Sequence, residues 1–441
     1  MLNCISIGCK VNQAELSEIK DKVQDAGVKI GIINTCAVTA VSEAKSRKLI
    51  RRFIRENPDY RLVVTGCFAE AQPDVVRRLI RKEDVVVSNR DKSSIPELVK
   101  QWTEENNNGI KLIKRKAKPF VRDNSNLMNP LNSVVSRRTR AFLKIQDGCR
   151  AFCSYCIVPF LRSEMWSKSE KIVEEEVRNL VANGYKEIVL SGVNLGSYSF
   201  TAKTQRIDLV ILVKQLIKIE GLKRLRLSSI ELNDITDELI DLTGKNPVIC
   251  PHFHIPLQSG SDKILKLMKR SYTSADYMNR INFIKSKIKD PSITTDVIVG
   301  FPGESDDDFE RTLSVCQKVG FSKIHIFSFS PRKGTLASGM KNRVKPEIIK
   351  KRFIMLNNLE KELSLGYKQL FLGKEVDVLV EDSPSPCPQG PSSFEGFTER
   401  YVRVKIKNDK EDRLMSMNNQ IIRVKINRIK DKGMEGIPVR L

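Results

Sequence analysis

The sequence predicts a multidomain α/β protein: an N-terminal open α/β domain with a parallel sheet, a central partial (β/α)6 barrel, and a small all-β barrel at the C-terminal end. Three observations carry this. At 441 residues the chain exceeds what one hydrophobic core normally organises, so two or three domains are expected. Strand patterns alternate with helix patterns over residues 1–100 and again from Thr139 to Gln369, and such alternation builds parallel sheets. From Gly373 the pattern changes to the apolar/polar alternation of half-buried strands.

Taken in order, Leu2–Ile7 reads as an apolar strand, Gln13–Ala26 as a helix and Ile30–Asn34 as a second strand. A helix over Ala40–Arg55 ends before Asn57-Pro58, where proline disfavours helical backbone in the preceding residue. Arg61–Thr65 is a third strand, a helix opens at Gln72-Pro73, and Asp84–Val87 with Ile95–Lys100 makes a fourth strand and helix. Lys111–Lys144 holds ten basic residues and one acid, Asp123; it reads as a basic linker. Barrel strands are expected at Ala141–Ile145, Glu187–Ser191, Arg224–Ser228, Ile249–Ile255, Ile293–Val299 and Lys323–Phe329. Helices over Lys168–Ala182, Leu209–Ile219, Asp262–Met268 and Asp306–Val319 lie between them. Chemistry then belongs in the loops after the strands' C-terminal ends. A helix over Pro346–Gln369 leads to strands Glu375–Val380, Tyr401–Ile406 and Ile421–Ile426, with a Pro- and Ser-rich loop at Ser383–Ser393. The expected division is 1–110, a linker 111–138, a barrel domain 139–369 and a terminal domain 370–441.

Composition narrows the function. No apolar run reaches the ~18–20 residues of a membrane span, and the N-terminus lacks a basic region followed by an apolar core; a cytoplasmic protein without a membrane partner is expected. Lys and Arg total 76 against 53 acids, a formal charge of +23. Nucleic acid is the first partner that such a charge predicts, an anionic membrane surface the second. Ten cysteines in a chain without an export signal point to metal or redox chemistry rather than disulfides. Only His252, His254 and His325 are present, which argues against His-rich zinc or non-haem iron sites.

The cysteines fall into two patterns. Cys149, Cys153 and Cys156 follow the first barrel strand and Asp147-Gly148. Three thiolates in that spacing hold a [4Fe–4S] cube while leaving one iron without a protein ligand. That open iron is what chelation by the amino and carboxylate groups of S-adenosylmethionine requires, and reduction then cleaves the sulfonium to a 5′-deoxyadenosyl radical. A zinc site would need a fourth ligand, for which the distant Cys250 or His254 could serve. Cys9, Cys36 and Cys67 follow the first, second and third strands of the N-terminal domain. In a parallel sheet they project from one edge, where open α/β folds bind ligands, and three thiols there suit a second cluster. Three unrelated buried cysteines are the plainer alternative. Cys4, Cys250 and Cys316 read as packing residues, and Cys387 lies in the loop.

Gly8-Cys9-Lys10-Val11-Asn12-Gln13, Asn34-Thr35-Cys36-Ala37-Val38-Thr39 and Thr65-Gly66-Cys67, together with the CxxxCxxC run, resemble the radical S-adenosylmethionine methylthiotransferases. The resemblance spans nearly the whole chain and implies a methylthiotransferase domain, a radical domain and an RNA-binding TRAM domain. Lys10-Val11-Asn12-Gln13 resembles the branch acting on N6-threonylcarbamoyladenosine at tRNA position 37; the isopentenyladenosine branch usually reads Gln-Met-Asn there. It implies two [4Fe–4S] clusters and S-adenosylmethionine as cofactors. Cys149, Cys153 and Cys156 would generate the radical; Cys9, Cys36 and Cys67 would hold the sulfur-carrying auxiliary cluster. The implied partners are a tRNA anticodon stem-loop and an electron donor such as flavodoxin or ferredoxin, with the protein a monomer.

The resemblance also implies cofactor contacts at Tyr155, Gly192 and Asn194, Ser228 and Glu231, Gln258 within the run from His254 to Ser261, and Asp296 and Val299 within Thr295–Glu304. An ordinary βα turn at Gly192 and a structural carboxylate at Asp296 are the plainer readings. After Cys156 the family commonly continues Ile-x-Pro-x-x-Arg-Gly. Here Arg162 is kept, but Ser163 replaces the glycine, and Glu164 and Trp166 stand at commonly small or basic positions; by resemblance the departure falls where substrate is contacted beside the cofactor. Arg400, Arg403, Lys405, Lys407, Lys410, Arg413, Arg423, Lys425, Arg428, Lys430 and Lys432 crowd the terminal strands, and Lys45–Arg55 adds a basic helix. Alternate positions such as Arg403, Lys405 and Lys407 share one strand face and suit a phosphate backbone, though lysines also protect sheet edges. The competing readings are the isopentenyladenosine branch and a non-catalytic iron–sulfur RNA-binding protein.

Overall fold

The computed structural model describes residues 1–23, 28–108, 139–202, 205–381, 393–407 and 418–439. The basic linker 111–138, most of the Ser383–Ser393 loop with Cys387, and Lys410 and Arg413 lie outside the described residues.

The N-terminal domain is a four-stranded parallel sheet in the order β1 (Leu2–Ser6), β2 (Ile30–Thr35), β3 (Arg61–Gly66) and β4 (Val85–Val86). Ile30, Ile32, Ile33, Leu62, Val63 and Val64 are fully buried, as expected for strands covered on both faces. The first helix runs Lys10–Lys22, starting three residues before the expected Gln13 because extended backbone at Cys9 caps it and the Cys9 carbonyl accepts from Gln13 N at 3.2 Å. The third helix likewise starts early, at Cys67 directly after β3; Gln72 breaks it before Pro73–Arg77.

The central domain contains six parallel strands: β5 (Arg140–Asp147), β7 (Glu187–Gly192), β10 (Arg224–Leu227), β11 (His252–His254), β12 (Ser292–Val299) and β13 (Lys323–Ser328). Parallel bridges Leu225–Ile249 and Ser229–His254 join the two sheet halves, giving the expected open (β/α)6 barrel. A short strand β6 (Trp166–Ser167) pairs antiparallel with the end of β5, and β8 (Ser199–Ala202) with β9 (Gln205–Asp208) forms a hairpin.

The N-terminal domain covers the barrel's open side. The helix Lys10–Lys22 lies along β5. Beyond β13, Arg332 donates to the Ala37 carbonyl at 3.2 Å and pairs with Glu43 at 2.7 Å, while Ser330 Oγ accepts from Ala40 N at 3.0 Å.

The C-terminal domain is a closed five-stranded barrel, β14 (Glu375–Glu381), β15 (Ser393–Thr398), β16 (Arg403–Lys407), β18 (Gly433–Pro438) and β17 (Ile421–Lys430). It docks at the N-terminal rim of the central strands. Arg224 donates to the carbonyls of Phe397 (3.0 Å) and Asp377 (2.7 Å), and Arg226 to that of Glu399 (2.7 Å). Arg400 belongs to this joint rather than to an exposed basic stripe, since its Nε donates to the Asp290 carbonyl at 2.9 Å.

Candidate active site

The three N-terminal cysteines meet at the C-terminal edge of their sheet, as the strand positions imply. Glycine makes the approach possible. Gly8 precedes Cys9 at φ +109°, and a Cβ there would lie 2.9 Å from Cys36 Cβ and 3.0 Å from its Sγ. Gly66 precedes Cys67 at φ +99°, where a Cβ would stand 2.3 Å from the Thr35 carbonyl. Both loops are thereby drawn against the Cys36 loop. The thiols feel one another: burial is the main cause that raises the Cys36 thiol, to about 11, and Cys67 and Cys9 add to it. Burial raises Cys9 as well, with Cys67 adding and Arg162 opposing. Cys9 is nevertheless solvent-accessible, so it lines a recess rather than a packed core.

The radical loop is pinned along its length. Gly148 turns it at φ +80°, Ser154 N donates to the Met268 carbonyl at 3.0 Å, and Ser154 Oγ donates to that of Leu267 at 2.7 Å. Arg270 donates from Nη1 to Cys153 Sγ at 3.3 Å, and Ala151 N to Cys149 Sγ at 3.4 Å. Burial pushes Cys156 up to about 12, with Cys153 and Cys149 adding. Among the described residues no three His, Cys, Asp or Glu side chains already stand as a closed metal cage. The donor chemistry fits a cluster at each set nonetheless: three mutually interacting soft thiols, with charge-assisted donors beside them.

The other expected contacts are distributed unevenly. Ser228 Oγ and Asn194 Oδ1 are buried without a hydrogen-bond partner among the described residues. Glu231 is paired with Arg270 beside Cys153. Gln258 adopts φ +64°, and its backbone bonds the Asp296 carbonyl and Ile298 N. Asp296 pairs with His254 Nε2 at 3.3 Å. Gly192 packs closely on Gln146, where a Cβ would lie 2.9 Å from Oε1. Tyr155 packs against the small cluster of Ile264, Met268, Phe301 and Ala337, and Val299 is buried in the main core.

Sequence reasoning missed the joint between the two cysteine sets. Glu15, on the helix that starts after Cys9, is buried between Lys92 (2.5 Å), Lys144 (2.7 Å) and Arg162 (2.7 Å). Arg162 also binds Asp147 at 2.9 Å and Asn12 Oδ1 at 3.1 Å. Asn12 Nδ2 in turn donates to the carbonyls of Ile7 (2.9 Å) and Thr35 (3.0 Å). Asp147 and Arg162 bracket the radical loop, so one network fastens both its ends to the strand termini that carry Cys9 and Cys36. Burial opposes ionisation of Glu15, but Lys144, Lys92 and Arg162 hold its carboxyl well below the usual range. The altered run after Cys156 contacts the domain joint. Ser163 Oγ accepts from Arg90 at 3.3 Å, and Trp166 stacks under Lys144 at 4.9 Å.

A basic face lies elsewhere. On β16, Arg403, Lys405 and Lys407 are exposed and alternate with buried Val404 and Ile406, and Lys45, Lys48, Arg51, Arg52 and Arg55 are exposed on the helix Ala40–Glu56. No helix among the described residues is long and apolar enough to cross a membrane.

Comparison with known proteins agrees with this geometry. Residues 143–316 match the radical SAM superfamily and residues 2–88 the uncharacterized protein family UPF0004. The fold is similar to that of the radical S-adenosylmethionine methyltransferase TsrM from Kitasatospora setae, at TM-score 0.53 and 13% identity over 76% of each chain. The barrel with its three-cysteine loop is thus a radical S-adenosylmethionine domain. The chain is 38% identical to the threonylcarbamoyladenosine tRNA methylthiotransferase MtaB of Thermotoga maritima, covering 85% of both. It is 32% identical to the tRNA-2-methylthio-N(6)-dimethylallyladenosine synthase of Bacillus subtilis, covering 97% of this chain and 84% of that one. The protein belongs to the radical S-adenosylmethionine methylthiotransferase family, enzymes of the transferase class. Membership implies a [4Fe–4S] cluster and S-adenosylmethionine.

Proposed function

We propose that this enzyme converts N6-threonylcarbamoyladenosine at position 37 of tRNA to its 2-methylthio derivative. The observation that carries the reading is the second cysteine set: Cys9, Cys36 and Cys67 share one sheet edge and are tied to the radical loop through Asn12 and Arg162. We assign them a second [4Fe–4S] cluster, and Cys149, Cys153 and Cys156 the radical cluster. When bound, the clusters and S-adenosylmethionine supply an electron, a carbon radical and a methylated sulfur. The chain's residues hold and orient. Ser228 Oγ and Asn194 Oδ1, buried without partners among the described residues, offer polar contacts that a bound cofactor would satisfy, recovering about 1–3 kcal/mol each. Glu231 and Arg270 place a charged pair beside Cys153. The exposed stripe Arg403–Lys405–Lys407 and the basic helix suit the anticodon stem-loop backbone, positioning it without reading its sequence. The target base must leave its stack to reach the recess. A monomer in the cytoplasm, reduced by flavodoxin or ferredoxin, completes the reading.

The test is anaerobic reconstitution with S-adenosylmethionine, a reductant and stem-loops carrying either modified adenosine. Methylthiolation of the threonylcarbamoyl loop is expected; reaction only with the isopentenyl loop would replace the substrate assignment.

A further inference from the structure

The helix Ala40–Glu56 is fastened to the Cys36 loop. Ser46 Oγ accepts from Cys36 N at 3.1 Å and donates to the Cys36 carbonyl at 3.0 Å, and Thr39 caps the helix by accepting from Ser42 N at 3.1 Å. A second segment joins this start to the radical loop. Ser330 Oγ accepts from Ala40 N at 3.0 Å and Arg332 donates to the Ala37 carbonyl at 3.2 Å; further along, Ala337 N donates to the Ser154 carbonyl at 2.8 Å. The helix therefore begins at a rim that one segment shares with both cysteine loops.

Its two faces differ. Glu43, Ser46, Ile50 and Phe53 are buried. Val41, Lys45, Lys48 and Arg51 are exposed on the opposite side and, at 3.6 residues per turn, occupy about a third of the circumference. Among the described residues no acid pairs with Lys45, Lys48 or Arg51, whereas Arg52 and Arg55 share Glu56. Apolar side chains mark the rim end of this row. Val38 is 41% exposed, Val41 64% and Leu336, on the bridging segment, 58%, although the neighbouring Ala37 and Ala337 are buried. A duplex hides its bases in the stack and would engage the cations alone. Unpaired nucleotides engage both features, with phosphates for the cations and base faces for the apolar side chains. An acidic reductant is the other polyanionic partner, but it has to reach the radical loop, whereas the cations lead away from Cys36.

We propose that this face takes the single-stranded segment next to the extruded nucleotide. Its phosphates lie on Lys45, Lys48 and Arg51 and an unstacked base on the rim of Val38, Val41 and Leu336, which leaves the base-paired stem to other surfaces. The inference rests on the RNA-substrate reading given above and holds for either N6 group.

Salt titrations of binding, followed by fluorescence anisotropy, test it with the full chain and three RNAs: the anticodon stem-loop, its loop strand alone and its duplex stem alone. The triple variant Lys45→Gln, Lys48→Gln, Arg51→Gln should flatten the slope of log affinity against log salt by about 2 on the stem-loop and the loop strand, three contacts at ~0.7 each. On the duplex stem its slope should equal that of the wild type. Val38→Ser with Val41→Ser should weaken the two loop-bearing RNAs about 3–10-fold, the worth of one or two buried methyl groups, at an unchanged slope. Glutamine at Lys171, Lys245 and Lys318, exposed on the helices Glu170–Ala182, Asp237–Lys245 and Asp306–Val319, removes the same charge elsewhere and should leave the slope unaltered. All substituted side chains are exposed, and melting temperatures confirm that each protein is folded. An unchanged slope in the first triple variant, an equal change in the second, or a change confined to the duplex stem overturns the inference alone. So does a first triple variant that binds RNA as the wild type does but loses turnover with flavodoxin and not with dithionite, which would make the face a seat for the reductant. A wild type that binds none of the three RNAs overturns the RNA reading and this inference together.

Discussion

Replacing Arg162 by Met removes the cation that bridges both domains, and the structure ranks the cost. Arg162 donates to Glu15 at 2.7 and 3.0 Å and to Asp147 at 2.9 and 3.1 Å, with a fifth bond to Asn12 at 3.1 Å. The buried network holds three cations, Lys92, Lys144 and Arg162, against two carboxylates, Glu15 and Asp147. Without Arg162 two cations still face two carboxylates, and each acid keeps Lys144 as a partner. Breaking a buried ion pair costs about 3–5 kcal/mol, and this neutral remainder belongs at the lower end. Glu15→Gln leaves three buried cations against one carboxylate and belongs at the upper end, about 5 kcal/mol. Arg52→Met, at an exposed pair with Glu56, is the control and should cost under about 0.5 kcal/mol. Scanning calorimetry of the anaerobically purified proteins should order their melting temperatures as Arg52→Met, Arg162→Met, Glu15→Gln, from highest to lowest. An Arg162 variant as damaging as the Glu15 variant, or a Glu15 variant no worse than the control, would refute the charge argument.

Three further outcomes are expected. Gly66→Ala places a Cβ against the Thr35 carbonyl in left-handed backbone, so the second cysteine set should lose its iron while the radical set keeps its own; metal analysis with electron paramagnetic resonance would show otherwise if both survive. Cys153→Ala should reduce 5′-deoxyadenosine formation to background and leave stem-loop binding intact, and unchanged cleavage would remove the role assigned to that loop. Glu15 has its folded carboxyl held below its ordinary value of 4.5, so its stabilisation is present above pH 4.5 and lost as the pH falls through the folded value. The stability gap between the metal-free wild type and Glu15→Gln should therefore be constant from pH 7 to 5 and shrink below 4.5; a gap that widens in acid would reverse the sign.

Much of this architecture is legible in the sequence because its signals are local. Six apolar runs mark the central strands, Pro346 marks the start of the helix Pro346–Gln369, and the cysteines follow strand ends. What escaped detection is long-range or polar. Asn12 and Glu15 lie on the buried face of the helix Lys10–Lys22, where a periodicity reading expects apolar residues. Arg162 stands out as a motif residue, but its partner Glu15 is 147 positions away. Arg400 is indistinguishable by composition from its exposed basic neighbours, yet it bonds a backbone carbonyl across the domain joint. The strands β15 and β18 contain Gly396 and Gly436, where a Cβ would lie 2.2 and 2.5 Å from partner carbonyls. Glycine closes the small barrel there while erasing the strand signal.

Nucleoside mass spectrometry of tRNA from a strain lacking this protein tests the central claim most directly. The account predicts that 2-methylthio-N6-threonylcarbamoyladenosine disappears, its unthiolated precursor accumulates, and the isopentenyl derivative is unchanged. Loss of the isopentenyl derivative instead, or an unaltered modification profile, would contradict it.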